Sequence, residues 1–364
     1  MKLLTKRKKG SRRQRITDFA GARIRYVALV ALFFCCWLAF AETSALWLRS
    51  ASAKEPLVPE EAGELFQSKN VAVYVVKKGD RLTDLARRFY GDPEKTWMIE
   101  EANDLVTFEP GQVLVIPLVT INPGGLSADG YQVVSIITYH HFSEKCTNAL
   151  CMPVEEFAQQ MAMLAEEGYR TVTMKEVLKF VNYQQPLPRK TVAITIDDGY
   201  RSVYELAYPI LKRYNFKATL FIYTDFIDDS PNALSWEQLR ELTEAGFEVE
   251  SHTITHADLT LKRKGESQAE YLKRIRHELR LPRELIRKHL GQEVVWLAYP
   301  YGRWNQLVIS MAREEGYQGG VTVTRGATSF FADPFKVGRN QVMNPVKGHA
   351  FEQLVKYFRG EALQ

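Results

Sequence analysis

The 364-residue chain has only four cysteines, too few for a fold scaffolded by disulfides. It has a single long apolar run, which excludes a polytopic membrane protein. It lacks long internal repeats and low-complexity tracts, and 46% of its residues are hydrophobic, so disorder is excluded as its main state. A distributed positive charge is also missing. The net charge is +5, but residues 1–25 hold ten Lys/Arg against one acid, Asp18. The other 339 residues hold 38 basic and 42 acidic side chains, a net of −4. Basicity is an end effect, and no nucleic-acid partner is expected.

What is present begins with an export signal. Residues 26–41, YVALVALFFCCWLAFA, carry no charge and follow Lys6-Arg7-Lys8-Lys9 and Arg12-Arg13. Positive residues stay in the cytoplasm, so the chain beyond should cross the membrane. Residues 1–25 are read as a basic cytoplasmic leader and 26–48 as a signal peptide or transmembrane anchor. Two outcomes stay open: cleavage after Ala39-Phe40-Ala41, or an uncleaved anchor extended through Leu48. Either way the expected location is outside the cytoplasm, in the cell envelope or secreted, with the membrane met through the N-terminal segment. In that oxidising setting Cys146 and Cys151 of CTNALC either close a local disulfide or remain free thiols. Cys35 and Cys36, inside the apolar run, are read as packing or lipid-facing.

Residues 49–70, with Pro56, Pro59 and Glu60-Glu61, read as a linker; 120–130, with Pro123-Gly124-Gly125, read as a second. Between them, 71–119 carry a β-α-α-β pattern. Val73–Val76 is a β run, Leu82, Leu85, Ala86 and Phe89 form a helical stripe ended by Gly91, and Val113–Pro117 is the closing strand. So small a core suits recognition rather than catalysis. YVVKKGDRLTDLARRFYGD and FEPGQVLVIP resemble the LysM domain over roughly 73–118. LysM domains bind N-acetylglucosamine-containing glycans, so the resemblance implies a tether to peptidoglycan or a related polymer.

From residue 131 to 364 the chain alternates short apolar strands with helical stripes, which predicts a parallel α/β sheet, open or closed into a barrel. The charged stretch 268–290 is expected to be helical and interrupted at Pro282. Reactive groups in such folds gather where strands end, and three predicted strand ends are unusual. Asp197-Asp198-Gly199 follows VAITI; adjacent side chains cannot share one face of a regular strand, so the pair must sit at its break, where Gly199 permits a turn. Two carboxylates there are costly unless a cation or donor meets them. Ser251-His252-Thr253-Ile254-Thr255-His256 follows FEVE. Together with Asp198, His252 and His256 make a His₂-carboxylate set that suits a divalent metal, Zn²⁺ foremost, with iron, cobalt or nickel also accommodated. Tyr299-Pro300-Tyr301-Gly302 can turn a backbone N–H toward a cleft.

The three motifs, in this order, resemble the NodB-homology polysaccharide deacetylases, carbohydrate esterase family 4, over about 131–358. The resemblance implies a distorted parallel (β/α) barrel, preceded here by the small LysM domain and the N-terminal signal or anchor helix. It also implies Asp197 as general base, Asp198, His252 and His256 as metal ligands, and the Tyr301 amide in an oxyanion hole. The chain departs from the pattern in three ways. Ala298 stands where many members have an arginine, and neither Asp-x-x-Asp-Trp nor a terminal Leu-x-His appears. Tyr139-His140-His141 instead resembles the exopolysaccharide-modifying branch, which makes His140 the expected general acid and His141 the second choice. Arg339 in PFKVGRNQV is the candidate for the missing arginine. His277, His289 and His349 are read as surface residues. The implied function is exported, metal-dependent hydrolysis of N-acetyl groups on an N-acetylglucosamine-containing exopolysaccharide or peptidoglycan. A catalytically impaired glycan-binding wall protein is the alternative, and the same site acting on another acyl group is a third reading.

Overall fold

The computed structural model describes residues 63–346 and 348–361. The expected leader and signal or anchor segment lie outside the described residues. Among the described residues no helix is long and apolar enough to cross a membrane.

The first unit is a three-stranded antiparallel sheet, β1 (Glu64–Gln67), β2 (Val71–Val75) and β3 (Val113–Pro117), in that order. Helices α1 (Leu82–Tyr90) and α2 (Thr96–Ala102) lie between β2 and β3 in the chain, the expected β-α-α-β order. Period-two burial turns Leu114 and Ile116 inward, onto Ala72, Tyr74, Leu85 and Ile99. Gly91, at φ 73°, ends α1 in the left-handed conformation that favours glycine. Strand β1 is a correction: it falls in the segment expected to be linker. All four of its residues are exposed, so it joins the sheet through backbone pairing and leaves no hydrophobic pattern to read.

The second unit begins with β4 (Gly130–Tyr139), the short parallel pair β5 (His141–Ser143) and β6 (Cys151–Pro153), and helix α3 (Val154–Glu166). Then come β7 (Arg170–Val172), α4 (Met174–Val181), β8 (Thr191–Asp198), a π-helical turn at Val203–Ala207, and α5 (Tyr208–Arg213). Next are β9 (Thr219–Ile222), α6 (Trp236–Glu244), β10 (Glu248–Ser251), α7 (Gln268–Leu290), β11 (Trp296–Ala298), α8 (Gln306–Glu314) and β12 (Gly319–Val321). The strand order β12-β11-β10-β9-β8-β4 is parallel throughout. On one edge of β8, β7 pairs with residues 191–193 and β9 with 195–198, so two strands share that edge and the sheet curls. Residues 337–341 fill the remaining gap: Val337 bridges Val321 of β12, and Asn340 and Gln341 pair with Ile137 and Thr138 of β4.

Alternation along these strands makes two cores. Ile137, Ile194, Ile196, Leu220 and Val249 face the outer helices. Ile136, Ala193, Phe221, Trp296 and Val321 face the other way and meet Met174, Val177 and Leu178 of α4, which plugs the concave side. The first unit is held at the start of the strands: Arg170 pairs with Glu100, and Arg189 with Asp104 at 3.1 Å. Helix α7 runs unbroken through Pro282, contrary to the expected interruption. Its buried stripe, Ile275, Leu279 and Ile286, continues on both sides of the proline and holds the helix across one missing hydrogen bond.

Inside the curl, β10 presents Glu248 and Glu250 below His252. One oxygen of Glu250 accepts from the Val295 and Trp296 N–H groups, both at 2.8 Å. The other has no hydrogen-bond partner, with Lys175 Nζ 3.9 Å away. Burial, with Glu248 adding to it, pushes the Glu250 carboxyl up from 4.5 to about 8. A raised folded pKa means that the fold binds the proton more tightly than the unfolded chain does. Stability of the metal-free protein is therefore expected to fall as pH rises from 4.5 toward about 8. Glu250→Gln, which mimics the neutral acid, should flatten that limb in urea titrations across this range; an unchanged slope would contradict the assignment.

Candidate active site

The turn after β8 is tighter than a glycine alone would make it. Asp198 has φ 78° and Gly199 φ 98°, two consecutive left-handed residues. The strand thus ends at Asp198, and the pair sits at its break as read from sequence, with the left-handed turn begun by Asp198 itself as well as by Gly199. Left-handed Asp198, Thr253 (φ 72°), His256 (φ 57°) and Tyr301 (φ 60°) are half of the eight such non-glycine positions in the described chain. Strain gathered this way marks a place where geometry is imposed for function.

Asp197 is 3% exposed, and Arg339, 1% exposed, grips it with both arms at 2.7 Å. Arg339 Nε also donates to the Thr322 carbonyl at 3.1 Å. Burial alone would raise the Asp197 pKa, but the Arg339 guanidinium, with His252 and His140 assisting, brings it down to about 2. Arg339 arrives on the closing segment 337–341, so its cation reaches Asp197 from a different element than Ala298.

His252 lies just past β10, and its Nδ1 is 2.8 Å from the Ala298 carbonyl. A carbonyl only accepts, so Nδ1 carries the proton and the Nε2 lone pair is left free. His252 Nε2 and His256 Nε2 each stand 3.7 Å from Asp198 Oδ1, and the donor atoms of the three residues all lie within 4.8 Å of one another. Burial pushes His252 down to about 4 and lowers His256, so both imidazoles are neutral at pH 7. Burial, and then Asp197, push Asp198 up to about 7. Two neutral imidazole lone pairs and a carboxylate whose charge is costly without a cation are a donor set that fits a divalent ion. Ala298, the departure noted in sequence, supplies the carbonyl that orients the first imidazole.

Two further groups hold this loop, and neither was read from sequence. Glu278 of α7, buried on the helix's apolar stripe, accepts from the Ile254 N–H at 2.9 Å and the Thr255 N–H at 3.1 Å, and from the Thr255 hydroxyl at 2.6 Å. An acid on that stripe was its sequence signal. Asp258 accepts from Arg303 at 2.8 Å, tying the histidine loop to the Pro300–Gly302 turn. Glu278→Ala leaves three donors without their acceptor. Expected are a loss of about 1–3 kcal/mol in urea unfolding and about 10–100-fold weaker zinc binding; unchanged zinc affinity would contradict the bracing role.

The other sequence candidates divide. His140 follows directly on β4; burial lowers its pKa, while Asp197 pulls it up and Arg339 opposes. His141 turns instead to Tyr200, with ring centroids 5.0 Å apart. The Tyr301 side chain is 60% exposed, its ring edge-on to His256 at 4.7 Å. Cys146 and Cys151 are joined, with Cα atoms 5.3 Å apart. His277 and His349 are exposed, and half-buried His289 stacks on Trp236 at 4.4 Å.

Comparison with known proteins bears on the family and the fold. The family model for polysaccharide deacetylase matches residues 184–320. The chain is 34% identical over 216 residues to YxkH of Bacillus subtilis, a polysaccharide deacetylase by name, covering 59% of this chain and 74% of that protein. It is 31% identical over 215 residues to the poly-beta-1,6-N-acetyl-D-glucosamine N-deacetylase of Staphylococcus epidermidis, covering 57% and 71%. Among solved structures, the Streptococcus pyogenes deacetylase PplD in complex with acetate superposes with a TM-score of 0.56 at 26% identity, over 62% of this chain and 98% of that one. The curled parallel sheet and the matches together establish that the chain belongs to the polysaccharide deacetylase family.

Proposed function

We propose that this chain is an exported, divalent-metal-dependent N-deacetylase of an N-acetylglucosamine-containing polysaccharide, with the first unit serving as a LysM glycan tether. The observation that carries the reading is the convergence of one His₂-carboxylate cluster and a buried aspartate held by arginine, from the ends of β8 and β10, in one cleft. Two curated relatives of that name, from Staphylococcus epidermidis and Staphylococcus aureus, act on poly-beta-1,6-N-acetyl-D-glucosamine, which supports the substrate class. The basic leader and apolar run support export.

In this reading Asp198, His252 and His256 would hold the ion, with Zn²⁺ the best match to the donors. A divalent ion bound there supplies Lewis acidity and lowers the pKa of water to about 7. Asp197, kept ionised by Arg339, accepts a proton from the attacking water. With a pKa of about 2 it holds that proton only in passing. The Tyr301 N–H donates to the oxygen that gains charge at the acetamide carbon. His140 carries a proton to the departing nitrogen; burial favours its neutral form and the Asp197 charge favours its protonated one. A C–O bond forms, the C–N bond breaks, and acetate and a free amine result.

The alternative, a wall protein with impaired catalysis, was motivated by Ala298; the guanidinium of Arg339 on Asp197 removes that motive. The test is acetate release by the purified protein from a panel of β-1,6-linked N-acetylglucosamine oligomers, peptidoglycan fragments and chitin oligomers. Release from at least one, lost with chelator, is expected; no release from any would sink the reading.

A further inference from the structure

The sheet of the first unit is apolar on both faces. Ala72, Tyr74, Leu114 and Ile116 point inward, to Leu85 and Ile99 of the two helices. The alternate positions point outward, and these include Val71 and Val73 of β2 and Val113, Val115 and Pro117 of β3. Register extends the face onto β1, where Phe66 stands opposite Val73, itself opposite Val115. With the second unit in place Phe66 is 55%, Val113 50% and Val115 45% exposed. An antiparallel sheet with one wet face normally alternates apolar-in with polar-out. An outer face without a polar side chain on its two longer strands is built to meet something apolar.

Size, chemistry and chain connection select the occupant. Strands of four and five residues, three abreast, cover about 17 Å by 14 Å, on the order of 240 Å². A stable protein interface needs about 800 Å² on each partner, so this face alone does not hold a second copy. A glycan strand would find no hydrogen-bonding side chain on the valines. A bilayer needs no minimum area when the chain is already attached to it. Gly63, whose carbonyl accepts from the Val75 N–H at 2.7 Å, leads into this sheet. Fourteen residues, 49–62, separate it from Leu48, where the segment read as signal or anchor ends. Fully extended they span at most about 50 Å. A membrane holding that segment is therefore within reach of the face, at high effective concentration. Lys69, Lys77 and Lys78, exposed at the two ends of β2, suit anionic headgroups beside it.

We infer that the outer sheet face of the first unit rests on the outer leaflet of the membrane that holds residues 26–48, as a second, peripheral contact. The inference rests on reading that run as an uncleaved anchor. It also sets which way the catalytic cleft faces. The helix side of the first unit meets the second: Glu94 pairs with Lys217 at 3.4 Å, Asp104 with Arg189 at 3.1 Å, and Glu100 with Arg170. Those three cations stand at or just before the starts of β9, β8 and β7. Asp198 ends the eight-residue β8, about 26 Å further along. Sheet face, helices, strand starts and cleft thus follow one another away from the bilayer, and the cleft opens toward polymer outside the membrane.

The full chain is reconstituted into vesicles of phosphatidylethanolamine and phosphatidylglycerol that carry a lipid with a photoactivated carbene source in its headgroup. Flotation is measured, and labelled residues are mapped by mass spectrometry. Label is expected on peptides carrying Phe66 and Val113–Pro117. Tyr301 and Trp304, exposed at and just after the Pro300–Gly302 turn, should stay at background. In Phe66→Ser the label on Val113–Pro117 should fall about ten-fold. Val115→Thr, which keeps a β-branched strand residue and risks little folding, should lower it in the same direction. A chain that floats without label on the sheet face overturns the inference and leaves the anchor standing. Equal label at Tyr301 and Trp304 overturns the orientation, and label undiminished in both variants overturns the contact. A chain that does not float overturns the anchor and the inference together.

Discussion

Arg339→Ala is expected to cost about 3–5 kcal/mol of stability, because it leaves the buried Asp197 carboxylate without its partner. It also removes the donor to the Thr322 carbonyl. Catalysis should suffer separately. With the guanidinium gone, burial dominates at Asp197 and its pKa rises from about 2. The base form is lost as pH falls through that pKa, so the acid limb of the pH–rate profile should move to higher pH. At neutral pH a loss of about 10²–10³ in kcat/KM is expected, within the range of positioned acid–base groups. Arg339→Lys keeps the charge but lacks the planar fork that meets both carboxylate oxygens, and should fall between the two. Urea unfolding and a pH–rate profile check both effects. Wild-type stability together with an unmoved acid limb would mean that the ion pair has no role in the reaction.

The second large effect is at the proposed metal site, Asp198, His252 and His256. His252 is nearly inaccessible, its Nδ1 proton is committed to the Ala298 carbonyl, and its Nε2 points to Asp198. His252→Ala is expected to reduce bound zinc from one equivalent to none and acetate release by at least about 10³-fold. His256 is more exposed and comes from a loop rather than a strand end, so His256→Ala should retain weaker binding. Equilibrium dialysis with zinc, run beside circular dichroism, separates ligand loss from misfolding. One equivalent of zinc retained by folded His252→Ala would remove it from the ligand set.

Much of this arrangement could be read from residue order alone, because the chemistry sits in short contiguous motifs where strands end. Asp197-Asp198-Gly199 and the two histidines were legible because adjacent acids after an apolar strand are anomalous. The pairing of Arg339 with Asp197 was legible only as a candidate. The two residues are 142 positions apart, and the segment that joins them pairs with β4 over just two residues. Left-handed backbone at Asp198 and Thr253 leaves no mark in residue type, since neither position is a glycine. Strand β1 was missed because backbone pairing alone recruits it, and continuity through Pro282 because burial outweighed a local rule. The division of His140 from His141 depends on β5 pairing with β6, a contact that sequence periodicity does not reveal.

The most direct measurement strips the purified protein with chelator, returns zinc in fractions of an equivalent and follows acetate release from an N-acetylglucosamine oligomer. Release should start at baseline, rise in proportion to added zinc and stop rising at one equivalent, with Asp197→Asn binding the same equivalent and staying at baseline. Acetate release that persists without metal, or full turnover by Asp197→Asn, would contradict the account.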